Sequence, residues 1–125
     1  MERIIAIIDD SEDVAALEFA LSGMPSVKVV KMHDGRGLMN ALRAYSLELS
    51  AIVTDLNLPF FDGFEILEAV RAHARYARVP IVVITGDGRC GVPERAKQLG
   101  ADAFFSKPYS PAEVRRALEA LIDVS

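Results

Sequence analysis

Five polar side chains stand where apolar runs of this sequence stop. Asp9 and Asp10 follow the run 3–8, Asp55 follows 51–54, Thr85 follows 80–84, and Lys107 comes just after 103–105. Carboxylates brought close together repel, and a hard divalent cation with oxygen ligands relieves that repulsion. Mg²⁺ suits such a site, because it binds through a few carboxylates and keeps several waters. A carboxylate can also act as a nucleophile and accept a phosphoryl group as an aspartyl phosphate. That transfer needs charge on the phosphoryl oxygens neutralised, and Mg²⁺, an ammonium and a hydroxyl together supply this. From residue types alone, the five describe a phosphoryl-accepting carboxylate site.

Singly, each has a plainer use. Asp9 or Asp10 can cap the helix that follows, although one cap needs one side chain and there are two. Asp55 can be a turn residue, Thr85 an ordinary β-branched strand residue, and Lys107 a solvated charge. What favours a site is convergence, since independent surface residues need not gather at one crevice.

The elements decide whether they gather. Five short runs rich in Ile, Val or Phe, at 3–8, 27–32, 51–54, 80–84 and 103–105, predict strands. The first, third and fourth are almost continuously apolar, as for strands covered on both faces of a parallel sheet. The second carries Lys28 and Lys31, which suits an edge. Between them, Val14, Leu17, Leu21 and Met24 keep helical spacing, with Asp10 or Ser11 available as N-cap. Leu38, Leu42 and Tyr45 fit a second helix, and Phe64, Leu67 and Val70 a third after Asp62-Gly63. A short fourth, around 93–99, stops at Gly100. Val114, Ala117, Leu118, Leu121 and Ile122 line the fifth, with Ser110 as N-cap and Pro111 in its first turn. Strand and helix alternate five times, about 25 residues per unit, which predicts an α/β fold with a parallel sheet and right-handed crossovers. Ligands of open α/β sheets bind beyond the carboxyl ends of the strands, which is where four of the five units place the polar set. Alternation leaves the strand order open.

Composition removes other classes. Lys plus Arg total 14 and Asp plus Glu 18, a net charge of −4, so the chain lacks the basic footprint of a direct nucleic-acid binder. The single cysteine, Cys90, closes no intrachain disulfide and makes no cysteine-rich zinc site. The run 4–8 is too short for a signal-peptide core or a membrane span, so the chain reads as cytoplasmic, with no membrane partner. No repeat, low-complexity tract or linker divides it, and residues 1–125 read as a single domain.

The ordered series Asp9-Asp10, Asp55 with Leu58-Pro59 and Asp62-Gly63, Thr85-Gly86, Gly100-Ala101 and Lys107-Pro108 resembles the receiver domain of two-component response regulators, the family that includes the chemotaxis regulator. The resemblance runs from about Arg3 to Ile122. It implies a flavodoxin-like, doubly wound (βα)5 fold of five parallel strands in the order 2-1-3-4-5. It implies that Asp55 is the phosphoacceptor, and that Asp10, Asp55 and the backbone carbonyl of Asn57 ligate Mg²⁺ directly while Asp9 acts through a water. Lys107 would pair with the phosphoryl group and Thr85 would hydrogen-bond to it after modification. Phe104 would be the aromatic that turns inward when the threonine moves, altering the face of the fourth helix, fifth strand and fifth helix. The Lys107–Pro108 peptide is expected to be cis. The implied donor is a sensor histidine kinase or a phosphotransfer protein, and the chain would catalyse its own modification without turning over an external substrate.

Some positions depart from the commonest pattern. Phe104 lacks the phenolic hydroxyl of the chemotaxis type. Gly86, with Gly88 and Gly91, makes the loop 85–92 permissive, either a flexible surface loop or one ordered by phosphorylation. Phe60-Phe61 are bulky beside the acceptor, with one expected to pack under its loop. Asn57 and Asp87 are polar two residues after Asp55 and Thr85, which suggests rapid self-dephosphorylation. A homodimer stays open, but Ala103 and Ala117 replace the acid and arginine of the winged-helix transcription factors' pairing mode. His33 and His73 read as surface residues, and Cys90 as a plain loop residue.

Other functions fit less well. A phosphatase of the haloacid dehalogenase type wants a second aspartate where Asn57 stands, and a flavin binder wants a phosphate-cradling loop where Asp9-Asp10 would repel phosphate. A degenerate receiver acting only as an interaction module would not keep the acceptor, acid pair, threonine and lysine intact. Five units consume the 125 residues, so the output domain is expected to be a separate protein, or missing because the chain was excised from a longer one.

Overall fold

The computed structural model describes residues 3–11, 14–44 and 48–124. In chain order the elements are β1 (Arg3–Ile8), α1 (Ala15–Ser22), β2 (Val27–Met32), α2 (Gly35–Ala44), β3 (Leu49–Thr54), α3 (Gly63–Ala72), β4 (Ile81–Thr85), α4 (Val92–Gln98), β5 (Ala103–Ser106) and α5 (Pro111–Val124). The five strands are parallel and ordered β2-β1-β3-β4-β5, the doubly wound, flavodoxin-like arrangement.

Strand side chains alternate between two faces, and each face has its own helices. Ile5, Ile7, Ala51, Val53, Val82 and Ile84 pack with α1 and α5 through Leu17, Leu21, Val114 and Leu118. Ala6, Ile8, Ile52, Ile81 and Val83 pack with α2, α3 and α4 through Leu38, Leu42, Ile66, Leu67, Val70 and Ala96. Covering on both sides explains why β1, β3 and β4 are nearly continuous in apolar residues. β2 is an edge strand, half-buried for most of its length, with Lys28 exposed.

Local chemistry sets several boundaries. Asp62 caps α3 by accepting from the Glu65 amide at 2.9 Å, while Glu65 Oε1 accepts from the Asp62 amide at 3.2 Å, a reciprocal capping box. The Ser110 hydroxyl accepts from the Glu113 amide at 3.3 Å at the start of α5. Gly100 ends the turn after α4 at φ +110, a left-handed conformation suited to glycine. The expected cap of α1 is different. α1 begins at Ala15, with Val14 at the cap position and no side-chain cap bond there, while the Asp9 carboxylate turns back to accept from the Ser11 amide at 2.8 Å. Tyr45, expected on α2, lies outside the described residues.

Two packing features tie the helices to the strand ends. Gly63, the first residue of α3, lies so close to β3 that a Cβ there would sit 2.5 Å from the Asp55 carbonyl oxygen and 2.7 Å from Leu56 Cα. Arg71, near the end of α3, donates to the carbonyls of Gly100, Ala77 and Val79 and to Asp102 Oδ2, at 2.6–3.1 Å. Asp102 Oδ2 also accepts from the Ile81 amide at 2.8 Å, so one guanidinium joins α3 to the starts of β4 and β5. His73, read from sequence as a surface residue, is instead half-buried: its Nε2 lies 3.1 Å from the Leu42 carbonyl and its ring stacks at a tilt on Tyr76.

Gly63→Ala is expected to destabilise the protein by roughly 1–3 kcal/mol, because the methyl meets backbone that cannot yield without moving the Asp55–Leu56 segment. Urea unfolding of the variant measures this, and a midpoint equal to that of the parent protein would refute the close packing.

Candidate functional site

The parallel register brings the strand ends to one edge. Ile8 is paired with Met32 and with Thr54, Thr54 with Val83, and Thr85 with Ser106. Pairing then continues one residue past the strands, through the polar residues themselves. The Asp9 amide donates to the Met32 carbonyl at 3.1 Å, the Asp55 amide to Ile8 at 3.0 Å, and the Lys107 amide to Thr85 at 2.8 Å. Each backbone is therefore anchored to the neighbouring strand before its side chain is placed.

The side chains meet around an ammonium. Lys107 Nζ lies 2.8 Å from Asp55 Oδ2 and 3.2 Å from Asp9 Oδ2. Both carboxylates are buried, and the lysine is partly so. The second oxygen of each is held by a backbone amide, Asp55 Oδ1 by Asn57 at 3.1 Å and Asp9 Oδ1 by Ser11 at 2.8 Å. Desolvation disfavours the Lys107 charge, but the hydrogen bond and attraction of Asp55, followed by those of Asp9, outweigh it and hold its pKa above the ordinary lysine value. The Lys107–Pro108 peptide is cis.

Asp10 does not join this cluster. It is exposed and lines an open cleft of about 470 Å³, together with Asn57, Asp62, Phe64, Asp87, Arg89 and Arg95. Among the described residues, no three His, Cys, Asp or Glu side chains converge on a common metal position. The reason is local: Lys107 stands between the two carboxylates that face each other, and the third points to the rim. The donor set nevertheless has the chemistry of a magnesium site, with hard carboxylate oxygens from Asp9, Asp10 and Asp55 and a backbone carbonyl at Asn57.

Thr85 is fully buried at the end of β4, and its Oγ1 accepts from the Asp87 amide at 3.2 Å. Asp87 in turn accepts from the Arg89 amide at 3.0 Å and from the Arg89 guanidinium. That hydrogen bond lowers the Asp87 pKa below the usual carboxylate value. The glycine-rich loop thus carries hydrogen bonds running from Thr85 through Asp87 to Arg89. The pairing of Arg89 with Asp87 was not legible in the sequence, since an Asp-x-Arg spacing carries no sign that the two side chains will fork together. Phe104 is half-buried against the core on the α2–α4 side. Phe61 packs against Gly35, while Phe60 is 65% exposed, at φ +70, with the Arg36 guanidinium 3.6 Å from its ring centroid. His33 and Cys90 are exposed.

Comparison with known proteins agrees with this geometry. The response regulator receiver domain family matches residues 5–119. The transcriptional regulatory protein GltR of Pseudomonas aeruginosa is 29% identical over 120 residues, covering 96% of this chain and 49% of that protein. This chain therefore spans about half the length of such regulators. A probable chemotaxis protein CheY of Rhizobium etli is 25% identical over 119 residues, covering 95% of this chain and 91% of that one. The crystal structure of a putative response regulator from Chloroflexus aurantiacus superposes with a TM-score of 0.86 at 25% identity, covering 98% of this chain and 99% of the other. Strand order, strand-end residues and family match agree, and the chain belongs to the response regulator receiver domains of two-component systems.

Proposed function

We propose that residues 1–125 act as one receiver domain, a phosphorylation-dependent switch whose acceptor is Asp55. The observation that carries this reading is a buried carboxylate at the sheet's carboxyl edge with an ammonium 2.8 Å from one oxygen. The donor is a phosphohistidine on a sensor histidine kinase or a phosphotransfer protein. The Asp55 carboxylate attacks phosphorus, the bond from phosphorus to the imidazole nitrogen breaks, and its electron pair stays on that nitrogen. The Asn57 amide on Oδ1 orients the carboxylate. Lys107 turns from Oδ2 toward the phosphoryl oxygens, where its charge opposes the charge delivered. Asp9, Asp10, Asp55 and the Asn57 carbonyl would hold Mg²⁺, which when bound supplies further neutralisation of those oxygens. The chain is a stoichiometric acceptor and turns over no external substrate.

The readout is packing. A phosphoryl group on Asp55 draws the Thr85 hydroxyl, and the vacated space admits Phe104, changing the face of α4, β5 and α5. This is a shift between two states of the unmodified protein, limited by how much better one of them is stabilised by the phosphoryl group. That face then acts on a separate partner or an attached output domain. The proposed donor places the domain in the cytoplasm beside the kinase's catalytic portion; among the described residues no helix is long and apolar enough to cross a membrane.

Three outcomes test this reading. Acetyl phosphate with Mg²⁺ is expected to add one phosphoryl group by intact mass, and Asp55→Asn to abolish the addition; persistence in the variant would remove Asp55 as acceptor. Chelation of Mg²⁺ with EDTA is expected to suppress the addition by at least about tenfold, the scale of losing one metal's charge stabilisation, and undiminished uptake would contradict the metal assignment. Thr85→Ala is expected to keep phosphoryl uptake while losing the amide chemical-shift changes over α4, β5 and α5 that beryllofluoride induces in the parent protein. Shift changes of parental size in Thr85→Ala would detach the threonine from the switch.

A further inference from the structure

The last residue of β3, Thr54, is polar and fully buried, behind the apolar Ile52 and Val53 of the same strand. Its Oγ1 donates to the Asp55 carbonyl at 2.9 Å. Because a peptide unit is planar, a bond to that oxygen sets the tilt of the whole plane joining Asp55 to Leu56. Strand pairing does not reach this carbonyl. β3 and β4 are last paired at Thr54 and Val83, and among the described residues no backbone amide donates to it. Asp55 is buried, so its carbonyl is costly to leave without a donor, and the Thr54 hydroxyl is that donor. The start of α3 crowds the same oxygen, since a Cβ on Gly63 would lie 2.5 Å from it. One residue on, the Leu56 carbonyl accepts from the Gly63 amide at 2.9 Å. The Asn57 amide that bonds Asp55 Oδ1 at 3.1 Å follows directly after these two carbonyls. Tilting the Asp55–Leu56 plane therefore moves the amide that orients the carboxylate.

We propose that Thr54 is a positioning residue for phosphoryl transfer: its hydroxyl fixes the Asp55–Leu56 peptide plane and so holds the Asn57 amide against the Asp55 carboxylate in the orientation that attack on phosphorus requires. The inference rests on Asp55 being the acceptor. With acetyl phosphate as donor, an Asp55 oxygen bonds to phosphorus, the bond from phosphorus to the acyl oxygen breaks, and acetate leaves with the electron pair. Thr54 keeps its proton and touches none of the reacting atoms. Its effect is on the geometry of attack, where small displacements of a reacting group weigh heavily on rate.

The test compares Thr54→Val, which removes the hydroxyl at nearly constant shape, with Thr54→Ser, which keeps it. Two quantities are read: the single-turnover rate constant of uptake from acetyl phosphate with Mg²⁺, and the carbonyl carbon-13 resonance of Asp55 in the unmodified protein. Thr54→Val is expected to slow uptake roughly three- to ten-fold, the scale of one net hydrogen bond, and to move the carbonyl resonance upfield. Thr54→Ser is expected near the parental value in both. Thr54→Ala removes the hydroxyl without adding a methyl to a packed site, and is expected to follow Thr54→Val. An unfolded fraction lowers the amplitude of uptake, whereas a misplaced carboxylate lowers its rate constant. A moved resonance with a parental rate constant would make the hydroxyl merely structural and overturn the proposal. Equal slowing in the serine and valine variants would overturn it as well. A parent protein that takes up no phosphoryl group, or uptake that persists in Asp55→Asn, would instead overturn the acceptor assignment.

Discussion

One ammonium between two buried carboxylates holds the functional end of this molecule together. Asp9 and Asp55 leave adjacent strands at the same level, so the parallel register that builds the sheet also forces two like charges into proximity. In a buried setting that repulsion is answered either by neutralising one acid or by bringing in a cation. Lys107, from the far end of the chain, supplies the cation at 2.8 and 3.2 Å. On the proposed reading, the same arrangement leaves the site ready for a second anionic group, because an ammonium already bonded to Asp55 has only a short way to turn.

The surrounding fold serves to keep that arrangement from relaxing. Asp9, Asp55 and Lys107 each donate their backbone amide to a neighbouring strand, and both acids have a second oxygen held by a local amide. Gly63 lets α3 approach the Asp55 carbonyl with no side chain intervening, and the capping box at Asp62 and Glu65 fixes where that helix begins. On the far side, Arg71 links α3 to Gly100 and Asp102, so the helix beside Asp55 and the strand that leads to Lys107 share one bonded residue. Five donors on a rigid planar group suit Arg71 to this role, and a lysine would not reproduce it.

How far the sequence could be read depended on the kind of interaction. Strands with continuous apolar residues announced their burial on both faces, and Lys28 and Lys31 marked β2 as an edge. Periodic helices such as α5 were equally plain, since a face of Val114, Leu118 and Ile122 has only one way to be buried. Caps were less reliable. Asp62 and Ser110 cap as their residue types suggest, whereas α1 starts at Ala15 behind Val14 with no side-chain cap bond at that position. His73 misled because its partner Leu42 is 31 residues away and belongs to another helix.

By itself the sequence determined the alternation of strand and helix, which faces are apolar, and which polar residue ends each strand, because these follow from local pattern and chain order. Only the tertiary structure decided that Lys107 stands between Asp9 and Asp55, that Asp10 turns to the rim, and that Arg89 covers Asp87. Those outcomes depend on directions of side chains from separate elements and on competition for the same donors. No residue type or spacing encodes a competition whose rivals meet only when the sheet has closed.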